Sequence, residues 1–509
     1  MQIFTSRRAR SPRTVAVGIG AVALLALAGC AASPAPAESA GEADPDATLR
    51  VGLVLEPENL DIRRTSGVAL EQVLIDNVYE GLVTRTTDNE IVPSLATEYD
   101  ISEDGLTYTF TLAEGVTFHG GGELTASDVV SSFDAVRDDE SLNGHRDLAH
   151  VTAVEAPDDR TVVLTLDQPD QNLLFWLTGP AGLVFDEGDQ TDLKTAANGT
   201  GPFTLDSWSQ GSAISLSRFA DYWGDAAGVA AVEFSYIPDR TAAVNAALDG
   251  DLDVLTRVEP DLAPQLDGVN GFALTDGRST SEGTLAFNNA APPLDDVRVR
   301  EALRLAIDHD ALVQALGTGS TLYGPIPELD PGYEDLSDVA PFDPERAKEL
   351  LAEAGQEDLK ITLTISNHYG TTVPAYLVSA FHDVGVDLRV NPVEFSTWLN
   401  DVYENKDYEL SFVEHAEPRD FSNWANPDYY FDYDNAEVQD LYAEAMTTID
   451  EAESSALLAE AARIVSEDHA ADWLYSAGEL TAVYEGVSGF PVDSTTSRID
   501  LSSVTLAGE

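Results

Sequence analysis

The sequence predicts an α/β protein built from more than one lobe. Three observations carry that expectation. Short stretches of alternating apolar residues recur through the first half, as half-buried strands require. The second half changes rhythm to helix, strand, helix, strand. With 509 residues and 43% hydrophobic content, the chain can fill real cores in two to four domains.

The first element is an export signal. Arg7, Arg8, Arg10 and Arg13 precede the apolar run "TVAVGIGAVALLALAGC", Thr14 to Cys30. That order is a basic n-region and an apolar h-region too short for a comfortable membrane span. The run ends in Leu27-Ala28-Gly29-Cys30, which resembles the bacterial lipobox. The resemblance implies acylation of Cys30, the one cysteine of the chain, as the new N-terminus. "SRR" at Ser6 leaves the Sec and twin-arginine routes both open. "AASPAPAESAGEADPDA" follows, small, Pro-rich and acidic, and reads as a flexible tether. Ordered structure is expected from near Thr48.

"TLRVGLVLEPENLD" opens with a strand, since Leu49, Val51 and Leu53 alternate. Leu70, Leu74, Val78 and Leu82 then fall at helical spacing, closed by a loop after Gly81-Leu82. "TYTFTLAEGVTF" and "RTVVLTLDQP" alternate again, and "TASDVVSSFDAV" offers Thr125 or Ser127 as a helix cap between them. Residues 84–195 therefore mix strands and a helix and could form their own lobe. "PLDDVRVREALRLAIDHDALVQAL" reads as one helical stretch capped by Asp295 or Asp296. In "FDPERAKELLAEAGQEDLKITLTIS", Asp343 caps, Pro344 takes the first helical position and Gly355 terminates. A strand through Ile361, Leu363 and Ile365 follows, then a helix near 373–384 and the strand "VDLRVNPVE". Late helices are expected near 436–447 and 451–468.

Net charge is −63, from 90 acidic and 27 basic residues. Such a surface repels phosphate backbones, which argues against nucleic acid as a partner. It fits a solvated acidic exterior, and a salt-rich habitat would fit as well. The eight histidines show no HExxH or similar ligand spacing, and the mature chain has no thiol beyond Cys30. No G-x-S-x-G elbow or S-x-x-K motif is present. The sequence thus offers no catalytic residues, no metal site and no cofactor motif. Gly199 and Gly201 in "NGTGPF" shape a loop; without a following Lys-Ser/Thr they are no phosphate loop.

Several blocks carry a family resemblance. They are "IVPSLATEYDISEDGLTYTFTLAEGVTFHGGGELTASDVVSSFDAV", "NGTGPFTLDSW", "RFADYWG", "LAFNNAAPPLDDVRVREALRLAIDHDAL" and "FDPERAKELLAEAG". In this order they resemble the peptide/nickel-type solute-binding proteins of ABC importers, family 5 of the bacterial extracellular solute-binding proteins. The likeness runs from about Leu49 to about Tyr475. It implies a two-lobe, periplasmic-binding-protein-like fold (type II, large peptide-binding subclass), with an extra subdomain inserted in lobe I. On this chain that places the signal at 1–29 and the lipidated cysteine and tether at 30–47. Lobe I would take 48–83, 196–279 and 478–509, the inserted subdomain 84–195, and lobe II 280–477. The chain would cross between lobes near Gly283 to Asn289 and near Trp473 to Leu480. The resemblance also implies His119 as an ordinary turn residue.

The densest polar stretch is "SFVEHAEPRD", where Glu414, His415, Glu417, Arg419 and Asp420 fall within seven residues after the strand-like "KDYEL". Similar members carry W-x-x-D-x-x-D-P here, and an aspartate pairs with the amino group of a bound peptide. This chain departs from that pattern. His415 or its neighbour takes the tryptophan's place, Glu417 or Asp420 the acidic place, and Arg419 lies between. A carboxylate beside a guanidinium can hold both ends of a zwitterion by charge-assisted hydrogen bonds. An internal ion pair that braces the loop is the other reading, and a chelate through His415 a weaker third. Phe421, Trp424, Tyr429, Tyr430, Phe431 and Tyr433 follow, and Trp398 precedes; aromatic walls suit a cleft, although half or more could be core. The expected contacts are His415, Glu417, Arg419, Asp420, Trp424, Trp398 and, from the crossing segment, Asn288. The expected function is a monomeric receptor on the outer face of the cytoplasmic membrane, held by its lipid anchor. It would pass a small organic solute, foremost a peptide, to an ABC permease and its ATPase. A nickel chelate, opine or oligosaccharide is the alternative within the family, and a surface-anchored hydrolase the alternative outside it.

Overall fold

The structure is a computed structural model and describes residues 42–493 and 498–508. The signal and Cys30 lie outside the described residues. Order begins before Thr48. Ala43 bridges Ala507, Asp44 N–H donates to the Leu506 carbonyl at 2.8 Å, and Gly508 N–H donates to that of Glu42 at 3.1 Å. The last part of the expected tether is thus paired with the C-terminal tail. Its small residues permit the close backbone approach.

Three sheets organise the rest. In the seven-stranded sheet, Thr48–Leu53 sits between parallel neighbours Ala231–Tyr236 and Val254–Leu255. Leu49, Val51 and Leu53 are all buried, as the core-facing side of a strand demands, while Arg50 on the other side stays partly exposed. Glu479–Tyr484 and Phe272–Gly277 extend one edge, and Ala213–Arg218 and Phe203–Ser209 the other. The chain leaves this sheet to build a four-stranded antiparallel sheet, Ala96–Ile101, Thr107–Leu112, Thr161–Leu166 and Val151–Asp158. Helix Ala126–Asp138 packs on strand Val151–Asp158. Thr125 caps that helix, and Asp128 reaches back to accept from Thr125 N–H at 2.8 Å.

The five-stranded sheet has the order Asp387–Val393, Lys360–Ser366, Leu410–His415, Glu282–Phe287, Ala471–Ser476. The chain enters it between Gly277 and Glu282 and returns between Ser476 and Glu479. The two passages are stitched together: Ser279 Oγ donates to the Ala477 carbonyl at 2.6 Å, and Ala477 N–H to that of Ser281 at 2.8 Å. We call the part with the seven-stranded sheet lobe I and the part with the five-stranded sheet lobe II.

Two helices differ from the sequence expectation. The first ends early, at Val68–Leu74. Asp76 adopts the left-handed region, φ 63°, and breaks the helical path. Asn77 is then free to reach the C-terminal tail, donating to the Ile499 carbonyl at 2.6 Å and accepting from Leu501 N–H at 3.0 Å. The second expected helix is two, Val297–Leu305 and His309–Leu316. Asp308 starts a new one by accepting from Ala311 N–H at 3.0 Å. Gly199 shows why its loop needs glycine: a Cβ there would lie 1.8 Å from the Val78 carbonyl oxygen. His119 serves the same loop, with Nε2 2.9 Å from the Gly201 carbonyl oxygen.

Candidate functional site

The strand Leu410–His415 ends the sheet of lobe II in a loop rather than a helix. Glu414 and His415 close the strand. Arg419 takes the left-handed region at φ 57°, and Asp420–Asn423 forms one 3₁₀ turn. The turn aims Asp420 back over the strand end. There a cavity of about 670 Å³ opens. Its floor is Val413, Glu414, His415, Tyr429 and Tyr430, and Glu417, Arg419 and Asp420 form its polar rim. Tyr369 and the segment carrying Phe395, Trp398, Leu399 and Tyr403 make an aromatic wall. Among the described residues, Asn172 and Trp176, from the inserted subdomain, are the only lining residues outside lobe II.

Hydrogen bonds fix the floor. His415 places Nδ1 3.3 Å from Asp420 Oδ2 and Nε2 3.2 Å from the Tyr430 hydroxyl oxygen. Asn423 Nδ2 donates to the same Asp420 oxygen at 3.0 Å. Tyr475 donates its hydroxyl to Glu414 Oε1 at 2.8 Å, and Tyr369 accepts from Glu414 N–H at 2.9 Å. Trp398 is pinned through Nε1, which donates to Ser411 Oγ at 2.9 Å. Its ring lies parallel to that of Phe395 at 5.9 Å, so the wall presents flat apolar faces. Glu417 is exposed.

Arg419 faces two ways. Its backbone N–H donates to Asp330 Oδ2 at 2.9 Å. Its guanidinium lies 4.1 Å over the Phe175 ring and donates through Nη1 to Asn172 Oδ1 at 2.9 Å. The Arg85 guanidinium lies 4.3 Å from that same ring, and Asn89 donates to Asp330 Oδ1 at 3.2 Å. Arg419 thus belongs to a seam between the inserted subdomain and lobe II. Burial lowers its pKa and raises that of Asp330 to about 6, the latter against the Arg419 N–H that steadies the carboxylate. No pair forms between Glu417 and Arg419 or between Arg419 and Asp420; the internal pair is His415 with Asp420.

Five of the residues singled out from the sequence come together here: His415, Glu417, Arg419, Asp420 and Trp398. Two do not. Trp424 is 2% exposed and stacks on Phe431 at 4.0 Å, inside the core. Asn288 is 4% exposed and spends its side-chain amide on the Lys406 and Tyr408 carbonyls, both at 3.1 Å. Both are corrections to the expected contact set, for neither lines the cavity, whereas Trp398 and His415, though also buried, do. Phe421, Phe431 and Tyr433 are core as well, whereas Tyr429 and Tyr430 line the cavity.

Glu282 escaped the sequence reading. It opens the strand Glu282–Phe287, in register with His415 on one side and Ser476 on the other. Burial first, then the charge of Asp420, pushes its carboxyl well above the usual carboxylate range. A lone acid at the head of the otherwise apolar "GTLAF" was its readable signal. Among the described residues, no group of three or more His, Cys, Asp or Glu is arranged to hold a metal ion.

Comparison with known proteins places this geometry. Residues 90–451 match the model of the bacterial extracellular solute-binding proteins, family 5 middle region. The chain is 27% identical over 456 residues to the glutathione-binding protein GsiB of Pectobacterium atrosepticum, covering 83% of this chain and 88% of that one. It is 31% identical over 299 residues to the dipeptide-binding protein of Escherichia coli, covering 53% and 56% of the two chains. Among solved structures, HbpA2 from Haemophilus parasuis superposes with a TM-score of 0.82 at 23% identity, covering 91% of this chain and all of that one. DppA from Helicobacter pylori, in complex with the peptide STSA, gives 0.70 at 22% identity, covering 91% and 98%. The two-lobe periplasmic-binding-protein-like fold is therefore shared.

Proposed function

The chain belongs to family 5 of the bacterial extracellular solute-binding proteins, and on that footing we propose that it captures a small organic solute, foremost a peptide, outside the cytoplasmic membrane for an ABC permease. The observation that carries the reading is the cavity at the end of the strand Leu410–His415. Its aromatic wall suits the apolar part of an organic molecule, and its carboxylate rim suits an amino group. In this reading Asp420 or Glu417 meets the ammonium group. Trp398 and Tyr403 flank the side chains. Arg419 supports the rim from the seam. The protein binds without catalysis, as a monomer held to the membrane by a lipid on Cys30. A nickel chelate or an opine would need the same cavity with other polar partners.

Native mass spectrometry of the purified chain, incubated with a peptide pool, tests the reading. One solute per chain, recovered uncleaved, is expected; a cleaved solute would favour a hydrolase. Asp420→Asn or Glu417→Gln removes one partner of a charged contact, a loss of about 2–5 kcal/mol where the contact is desolvated. Affinity is then expected to fall by roughly 30- to several-thousand-fold; the melting temperature of the unliganded protein is expected to stay nearly unchanged in Glu417→Gln, whose side chain is exposed, and to fall modestly in Asp420→Asn, which loses its charged contact with His415. Wild-type affinity in both variants rejects this site. For the anchor, Cys30→Ser is expected to abolish lipid labelling and membrane retention.

A further inference from the structure

Exposed apolar side chains are ordinary one at a time. In the segment that walls the cavity, three fall close together: Phe395 is 50% exposed, Leu399 37% and Tyr403 45%. They stand four positions apart. In an α-helix each step of four drifts by about 40° around the axis. The segment begins as one α-turn, Phe395–Trp398, and continues as a π-helix, Leu399–Glu404, where Asn405 N–H donates to the Asn400 carbonyl at 3.1 Å. The wider π turn opposes that drift, so the three side chains keep to one stripe. Composition does not explain them. Aromatic residues make up 8% of the chain, yet eight of the twenty described residues that line the cavity are Phe, Trp or Tyr.

The stripe continues the cavity floor. Tyr403 meets the Tyr429 ring at 5.7 Å, edge on at 87°, and the Tyr430 ring at 5.8 Å. Trp398 meets Tyr430 at 5.7 Å and 80°, and Phe395 lies parallel to Trp398 at 3°. Phe395 and Tyr403 are each held on one side by a buried ring, Trp398 or Tyr430, and stay open on the other. The contacts include both parallel and edge-on pairs, the arrangements that ring quadrupoles favour. A further ring entering the cavity can extend either one. A saturated group fills the same space but gains nothing from the ring faces. That difference is about threefold to tenfold in affinity for each ring pair.

We propose that the solute carries an aromatic ring, which the stripe of Phe395, Leu399 and Tyr403 receives against Trp398 and Tyr430. This rests on the reading of the cavity as the solute site. Phe395 and Tyr403 then set a preference among solutes that the polar rim holds equally.

Calorimetric titration of the full chain tests it with three probes: Ala-Phe, Ala-cyclohexylalanine, which has a similar outline without a π-face, and tryptamine, a ring on no peptide. Ala-Phe is expected to bind at least about fivefold tighter than Ala-cyclohexylalanine. Phe395→Leu and Tyr403→Leu keep apolar surface and lose the ring. Each is expected to shrink that ratio by about threefold. Both side chains are about half exposed, so the melting temperature of the unliganded protein is expected to hold and serves as the folding control. Should one variant fail to fold, the other carries the test. Ala-cyclohexylalanine binding as tightly as Ala-Phe overturns the inference and leaves the peptide receptor standing. A ratio unchanged in both variants also overturns it; equal losses for the two dipeptides would then mean that lobe I, not the solute, covers the stripe. Tryptamine binding where no dipeptide does upholds the ring preference and removes the peptide. Failure of Ala-Phe and tryptamine alike at millimolar concentration overturns the inference, and the peptide pool then decides the peptide reading by itself.

Discussion

Glu80 shows how much a single buried acid can govern. It lies six residues past the end of helix Val68–Leu74, in lobe I. The Tyr222 hydroxyl donates to one of its oxygens at 2.8 Å and Trp223 Nε1 to the other at 3.1 Å. Burial outweighs these donors and lifts the carboxyl to about 7. An unfolded glutamate titrates near about 4.3. The folded state therefore holds its proton more tightly, and this contribution is full below about pH 4 and lost as pH rises through 7. Its size is on the order of 3 kcal/mol. Glu80→Gln cannot ionise, so its melting temperature is expected to fall less than that of the native chain between about pH 5 and pH 8. Parallel pH dependences in a fluorescence melting series would show that Glu80 titrates normally. Asp330, raised to about 6, pulls in the same direction and remains in both proteins. Neither acid was legible in the sequence. "RFADYWG" announced a family block but not that its Tyr and Trp serve Glu80. The signal for Glu282 lay in plain view, and 90 acidic residues hid it.

At the scale of elements, local chemistry was legible wherever it acts alone. Asp343, Pro344 and Gly355 start and stop the helix Pro344–Glu353 as read, with Asp343 accepting from Arg346 N–H at 3.0 Å. The late helices Ala436–Thr447 and Glu451–Glu467 and the strands Lys360–Ser366 and Asp387–Val393 fall where periodicity put them. Errors arose where a distant partner decides. Helix Val68–Leu74 stops because Asn77 is claimed by the tail more than four hundred residues away, which no local pattern announces. Trp424 and Asn288 were misplaced for the same reason, since aromatic and amide side chains look alike in a cleft and in a core. The break at 306–308 was legible in principle, because Asp308 precedes the second helix as an N-cap should. Its carbonyl also accepts from the Tyr376 hydroxyl at 2.8 Å, which ties the break to helix Thr372–Asp383. Asp308→Ala is expected to cost about 1 kcal/mol and to speed amide exchange through His309–Leu316, while Asp308→Asn keeps most of the cap. Equal exchange in the two variants would mean the cap contributes nothing.

At the scale of the molecule, the cavity is one-sided. Among the described residues, every lining residue but Asn172 and Trp176 comes from lobe II. A solute on that wall keeps much of its surface in water, and its contact with the carboxylate rim is weakened by solvent. Tight capture needs lobe I to supply a second wall. The lobes are joined by two short passages, at 277–282 and 476–479, which are bonded to each other and so act as one strap. Ser279 and Ala477 carry that bond, so rotation there can move the lobes without disturbing either sheet. The seam of Arg419, Asn172, Asp330 and Asn89 already holds the inserted subdomain against lobe II on one side. A solute shifts such a balance only by binding the closed form better than the open one. A solute recovered from the peptide pool is therefore expected to reduce the radius of gyration in small-angle scattering. Asp420→Asn is expected to shift that compaction to higher solute concentration rather than abolish it, because the variant weakens the contact and leaves the strap intact. Saturating, tight binding with no change in dimensions would mean that one wall suffices, and the two-lobe construction would then need another explanation.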